Sequence, residues 1–235
     1  MTAQAILEEL RPLGRDSYKK VMLNHGVTEP LFGVKIGELK KIQKRIKRDY
    51  QLALELYDTG NYDAMYLAGL IADDARMTKA DLRRWVKQAA RGALATHTVP
   101  AVAAGGAHGR ELAREWIESG QDFVAGAGWW TWVHLVSITP DAALDLGELQ
   151  RLLQRVRQSI REAGNDTRYA MNQFVIAAGS FVPALTELAL RLGEEIGPVQ
   201  VDMGNTACQV PFAPDYIRKV EKRGTLGKKR KSAKC

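Results

Sequence analysis

The chain has 235 residues, 46% hydrophobic and 26% charged, with only 8 prolines, which suits one large or two small packed domains and excludes disorder and collagen. No run reaches the ~18 apolar residues of a membrane span, and the opening MTAQAILEELRPLGRD carries charges where a signal peptide has an apolar stretch, so a cytoplasmic protein with no membrane is expected. The net charge of +7 is local: Arg218 to Cys235 holds nine bases against Glu221 alone, whereas residues 1–217 hold 25 bases and 26 acids. A basic end of this kind attracts polyanions by releasing counterions, or simply solubilises.

In chain order, the first informative segment is Ile36 to Arg48. Ile36, Leu39, Ile42 and Ile46 form an inward stripe, and Lys40, Lys41, Lys44, Arg45, Lys47 and Arg48 fill the other faces with Glu38 as the only acid. That pattern reads either as a solvated cationic face or as a phosphate-binding one. Asn61 opens a helix in which Tyr62, Met65, Tyr66, Leu67, Leu70 and Ile71 leave little polar face, so it should lie between neighbours. Thr78 with Asp81 three residues on starts an amphipathic helix through Leu82, Trp85, Val86, Ala89 and Ala90.

Gly128-Trp129-Trp130-Thr131-Trp132 concentrates three tryptophans, more than one helical side can bury. Core packing accounts for most of them, and Trp130 is the ring expected to face a groove, where it could stack on a base or sugar. His134, four residues on, shares its face and is either an interior histidine or a contact. Thr139-Pro140-Asp141 leads into a helix from about Leu146 to Ala163, ending at Gly164-Asn165. Arg168 to Ala178 and Pro183 to Glu195 are further helices, and only Val199 to Asp202 alternates like a strand.

About ten short helices without strands define an all-α chain, best arranged as a HEAT-like helical repeat solenoid over residues 1–198, with a polar and basic extension over 199–235. Such a stack offers a concave surface for function. His25, His97, His108 and His134 lack metal-site spacing, and Cys208 and Cys235 make no CxxC, so no metal and no cofactor are expected and both thiols read as reduced. There is no G-x-S-x-G elbow, and the two residues between Gly224 and Gly227 are too few for a phosphate loop.

Leu31-Phe32-Gly33-Val34-Lys35 with Leu39-Lys40-Lys41, Leu56-Tyr57 to Asp73-Asp74, Leu112 to Ile117 and Arg168-Tyr169-Ala170-Met171-Asn172 occur in an order that resembles the AlkD-type DNA alkylation repair family of HEAT-like glycosylases, over roughly residues 30–196. The resemblance implies a monomer that binds double-stranded DNA, damaged or branched, and excises alkylated purines such as 3-methyladenine and 7-methylguanine. It implies a carboxylate that stabilises positive charge developing on the sugar. One alignment puts that acid in Arg91 to His97, the other at His134, and neither supplies it.

The catalytic set is therefore unassigned, activity is expected to be weak or lost, and Asp122, Asp141 and Asp145 are the spare carboxylates near the tryptophans. The expected DNA contacts are Lys40, Lys41, Lys44, Lys47, Arg48, Trp130, His134, Arg168, Lys228, Lys229, Arg230 and Lys231. The alternative is a non-catalytic protein-interaction scaffold.

Overall fold

The computed structural model describes residues 1–89 and 92–234; Ala90 of the expected stripe, Arg91 and Cys235 lie outside them. The described residues are all-α, with thirteen helices and no strand, only an isolated bridge between Gly14 and Val34. Val199 to Asp202 is irregular backbone: with no second extended segment beside it, its alternation pairs with nothing. Compact packing divides the chain into two units.

The first unit comprises Met1–His108 with Met203–Ala207 and Lys234. Its helices are α1 (Ala3–Leu10), α2 (Asp16–Asn24), α3 (Ile36–Ile46), α4 (Tyr50–Asp58), α5 (Tyr62–Ile71), α6 (Lys79–Gln88) and α7 (Val99–Gly105), the last preceded by a π-helical turn, Leu94–Thr98. α5 is the centre: it packs on α1, α3, α4, α7 and the π turn, which is why nine of its ten residues are buried. Asn61 caps it by accepting from the Ala64 amide, as its sequence position suggests. The Thr78–Asp81 capping box at α6 is present with both bonds at 3.1 Å. Trp85 from α6 stacks on Tyr57 of α4 at 4.1 Å and 6°. Gly69 lets α5 approach the π turn, because a Cβ there would stand 2.2 Å from the Thr98 methyl.

The second unit comprises Gly109–Asp202 and Cys208–Ala233. It contains α8 (Gly109–Trp116), α9 (Asp122–Ile138), α10 (Leu146–Ser159), α11 (Asn165–Phe181), α12 (Thr186–Ile196) and α13 (Ala213–Lys222). α10 stops at Ser159, earlier than its sequence pattern suggests, because 160–164 turns the chain toward α11. Neighbours pack as α8 on α9, α11 on α12 and α12 on α13, and next neighbours as α9 on α11 and α10 on α12. Packing between consecutive helices and between alternate ones fits stacked helix pairs.

Residues beyond Val199 contribute to both units. α13 packs on α11 and α12, and its Ile217 is fully buried. The basic run after it is docked: the Gly227 amide donates to Ser180 O at 2.9 Å and the Arg230 amide to Ser137 O at 2.7 Å. The loose, solvated end that charge counting allows is therefore replaced by a folded strap.

Candidate nucleic-acid interface

The cationic helix α3 is built as its stripe dictates. Leu39 and Ile42 are buried and hold it to α5, whereas Ile36 at its start is 37% exposed. Its bases divide into two sets. Lys41 is paired with Glu38 at 2.9 Å, and Arg45 is held by both oxygens of Glu9 from α1, so their charge is locally balanced. Lys40, Lys44 and Lys47 are exposed and make no ion pair among the described residues. Lys47 ends the helix at φ 66°, a left-handed conformation that normally favours glycine, and turns the chain into Arg48. Arg48, also exposed, lies near the Asp74–Lys234 pair and acts on both charges.

That pair ties the end of the chain down. Lys234 Nζ meets Asp74 at 2.6 Å and donates to Ala72 O at 2.7 Å. Burial pushes the Asp74 carboxyl above its ordinary range and the Lys234 amine below its own, and mutual attraction opposes both shifts. In the second unit, Lys229 donates to Val136 O and pairs with Asp141, both at 2.8 Å. The guanidinium of Arg230 sits 5.2 Å from the Phe181 ring centre. Lys229 thus serves the carbonyl end of α9, where the helix dipole favours a cation. Lys228 and Lys231 remain exposed.

The tryptophan cluster is buried throughout: Trp129 is 0%, Trp130 7% and Trp132 1% exposed. This corrects the expectation of an open ring at Trp130. α9 is enclosed by α8 and α11 rather than lying on a surface, so it has no outward side. The Trp130 ring meets Tyr169 edge-on at 5.9 Å and His134 at 6.3 Å. His134 is 2% exposed, an interior histidine rather than a surface contact. Tyr169 has its hydroxyl pKa raised, mainly by burial and also by the exposed Cys208, which is in no disulfide.

Arg168 is spent on backbone: it donates to the carbonyls of Ile160, Arg161, Ala163 and Gln200, at 3.3, 3.1, 2.7 and 3.3 Å. It clamps the turn before α11 to the segment after α12.

A family model described as DNA alkylation repair enzyme matches residues 6–195. The chain belongs to that family. It is similar to uncharacterized proteins of Listeria innocua and Listeria monocytogenes, each 32% identical over 220 residues, which is 92% of this chain and 95% of the relative. It is also similar to a solved structure, at TM-score 0.92 and 35% identity over the whole of both chains. That structure represents a new family of proteins related to the HEAT-like repeat DNA glycosylases, with affinity for branched DNA structures. The stacked pairs described above are accordingly a HEAT-like repeat fold.

Against the DNA alkylation repair family, neither stretch aligned with the catalytic acid supplies one. One alignment ends on the enclosed His134. In the other, residues 92–97 contain no acid, and Arg91 falls outside the described residues. The three spare aspartates have other occupations. Asp122 accepts from the Asp166 and Thr167 amides at 2.9 and 3.0 Å and so caps α11, whose own N-cap, Gly164, has no side chain to do it. Asp145 caps α10 at the Glu148 amide, and Asp141 holds Lys229.

Asp122→Ala should therefore cost about 1–2 kcal/mol of stability, measured by urea unfolding; an unchanged midpoint would rule out the capping role. Charge and spacing had no means of finding this cap, because its donors lie more than forty residues from its acceptor.

Proposed function

We propose that this chain binds DNA through phosphate contacts, prefers branched over linear DNA, and has weak or absent base excision. The observation that carries the reading is α3: three exposed lysines without carboxylate partners among the described residues, beside two bases that are already balanced. Unbalanced cations on a rigid helix release counterions from DNA without selecting a sequence. The solved relative's affinity for branched DNA supports the structural preference. Loss of excision is supported by the chemistry of the candidates: Asp122, Asp141 and Asp145 are all engaged in caps or an ion pair, so none is free to face developing charge on a sugar. Without such a carboxylate the barrier rises by a few kcal/mol, about 10² to 10³ in rate.

The test is the triple variant Lys40→Gln, Lys44→Gln, Lys47→Gln beside the unaltered chain. Three lost phosphate contacts should lower duplex affinity by about tenfold or more at low salt, with an unchanged melting temperature. Neither protein should release 3-methyladenine or 7-methylguanine from methylated duplex above background. An unchanged affinity would place DNA binding elsewhere or nowhere, and rapid release of methylated purines would restore the glycosylase reading.

A further inference from the structure

The second unit carries a cationic groove that the sequence does not single out. α10 and α12 pack side by side and leave an open groove of about 580 Å³. Gln150, Gln154 and Gln158 recur every four residues along α10, interleaved with Arg151 and Arg155, and Arg191 faces them from α12. No carboxylate lines it.

The carboxylates around it are already taken. Glu118 holds Arg155 through two bonds, Glu195 pairs with Arg157, Glu148 with Arg114 and Glu194 with Arg218. Glu187, one turn before Arg191 on α12, stands outside the lining. Arg151 and Arg191 are exposed and have no ion-pair partner among the described residues. Near Gly147, an Arg151 guanidinium nitrogen and the Asp145 carboxylate each lie 3.4 Å from where a Cβ at 147 would stand, and that carboxylate is already used in capping α10.

The lining fits the backbone of a nucleic acid. A guanidinium forks onto two phosphate oxygens, and glutamine amides can both donate to phosphate and accept from sugar. From Gln150 to Gln158 the donors run about 12 Å along the helix, the reach of several linked phosphates rather than of one enclosed ion. An open groove gives a single phosphate few donors, whereas a polyanion adds each contact to the last.

We propose that the groove between α10 and α12 is a second DNA-phosphate site, able to engage the backbone of a branched DNA. This rests on the DNA-binding reading above.

The test compares the full chain with the double variant Arg151→Glu, Arg191→Glu on a linear duplex and a four-way junction, by fluorescence anisotropy. Both side chains are exposed, so an unchanged melting temperature is expected; Arg151→Gln, Arg191→Gln is the milder pair if it is not. The charge-reversed variant should lose about tenfold or more in affinity for the junction, and its junction salt slope should shrink by about 2. Unchanged junction affinity with an unchanged salt slope overturns the second site. If the unaltered chain binds neither DNA, the DNA-binding reading itself fails; if it binds both and only the groove variant is silent, the groove alone fails.

Discussion

Replacing Asp63 with alanine is expected to remove roughly 3–5 kcal/mol of stability, the loss of a buried acceptor that serves three amides at once. Asp63, 1% exposed in the first turn of α5, accepts from the amides of Phe32, Gly33 and Val34 at 2.6, 3.1 and 2.9 Å. Those amides belong to the turn that leads into α3. At its centre Gly33 has φ 80°, and a Cβ there would lie 2.7 Å from the Lys19 side chain. Without the carboxylate three donors lose their partner, and the loss is a large part of the ~5–15 kcal/mol that a domain commands. Asparagine repairs little, because its NH2 would confront another donor.

Burial raises the Asp63 carboxyl above its ordinary value, outweighing the backbone amides that lower it. A raised pKa in the folded state means that the group's contribution is fullest below the unfolded value and falls as pH rises through the folded one. The stability gap between the unaltered chain and Asp63→Ala should therefore widen on acidification from neutral pH, read by urea unfolding at stepped pH. A loss under about 1 kcal/mol would show that the turn holds itself.

Trp129→Ala should be comparably severe, roughly 3–5 kcal/mol, and should leave DNA affinity unchanged where the variant is folded. Trp129 is wholly buried and packs on Phe174 of α11 at 5.3 Å, so truncation opens a cavity between the two longest helices of its unit. Its indole nitrogen has no hydrogen-bond partner among the described residues. Trp129→Phe should thus cost clearly less than alanine, since it removes an unsatisfied donor while keeping most of the ring. Thermal unfolding beside a binding titration separates the roles: weakened DNA binding with an unchanged melting temperature would mean that the ring meets the ligand.

The elements most legible in the sequence were those whose signals are local. Asn61 and Thr78–Asp81 announce their helices because a cap and its amide are three residues apart. The α3 stripe and its lysines follow from period alone. The tryptophan segment misled because amphipathic reasoning assumes one wet side, and α9 has none between α8 and α11. The basic end misled in a related way. Counting charges sees cations, but not that Lys229 and the Arg230 amide serve the last carbonyls of α9, 93 residues away in the case of Lys229. Asp63 and Glu9, and the capping role of Asp122, were passed over for the same reason, since their partners are 29 to 45 residues distant in sequence. Arg151 and Arg191 look like ordinary surface bases until α10 and α12 are set side by side and the neighbouring acids are found occupied.

If exposed, unbalanced cations hold the DNA backbone as proposed, salt must compete with them. Binding of the unaltered chain to a four-way junction should weaken linearly on a log–log plot between about 50 and 200 mM salt, with a slope magnitude of about 3 or more, near 0.9 for each phosphate contact. A flat plot, or no binding at the lowest salt, would contradict it.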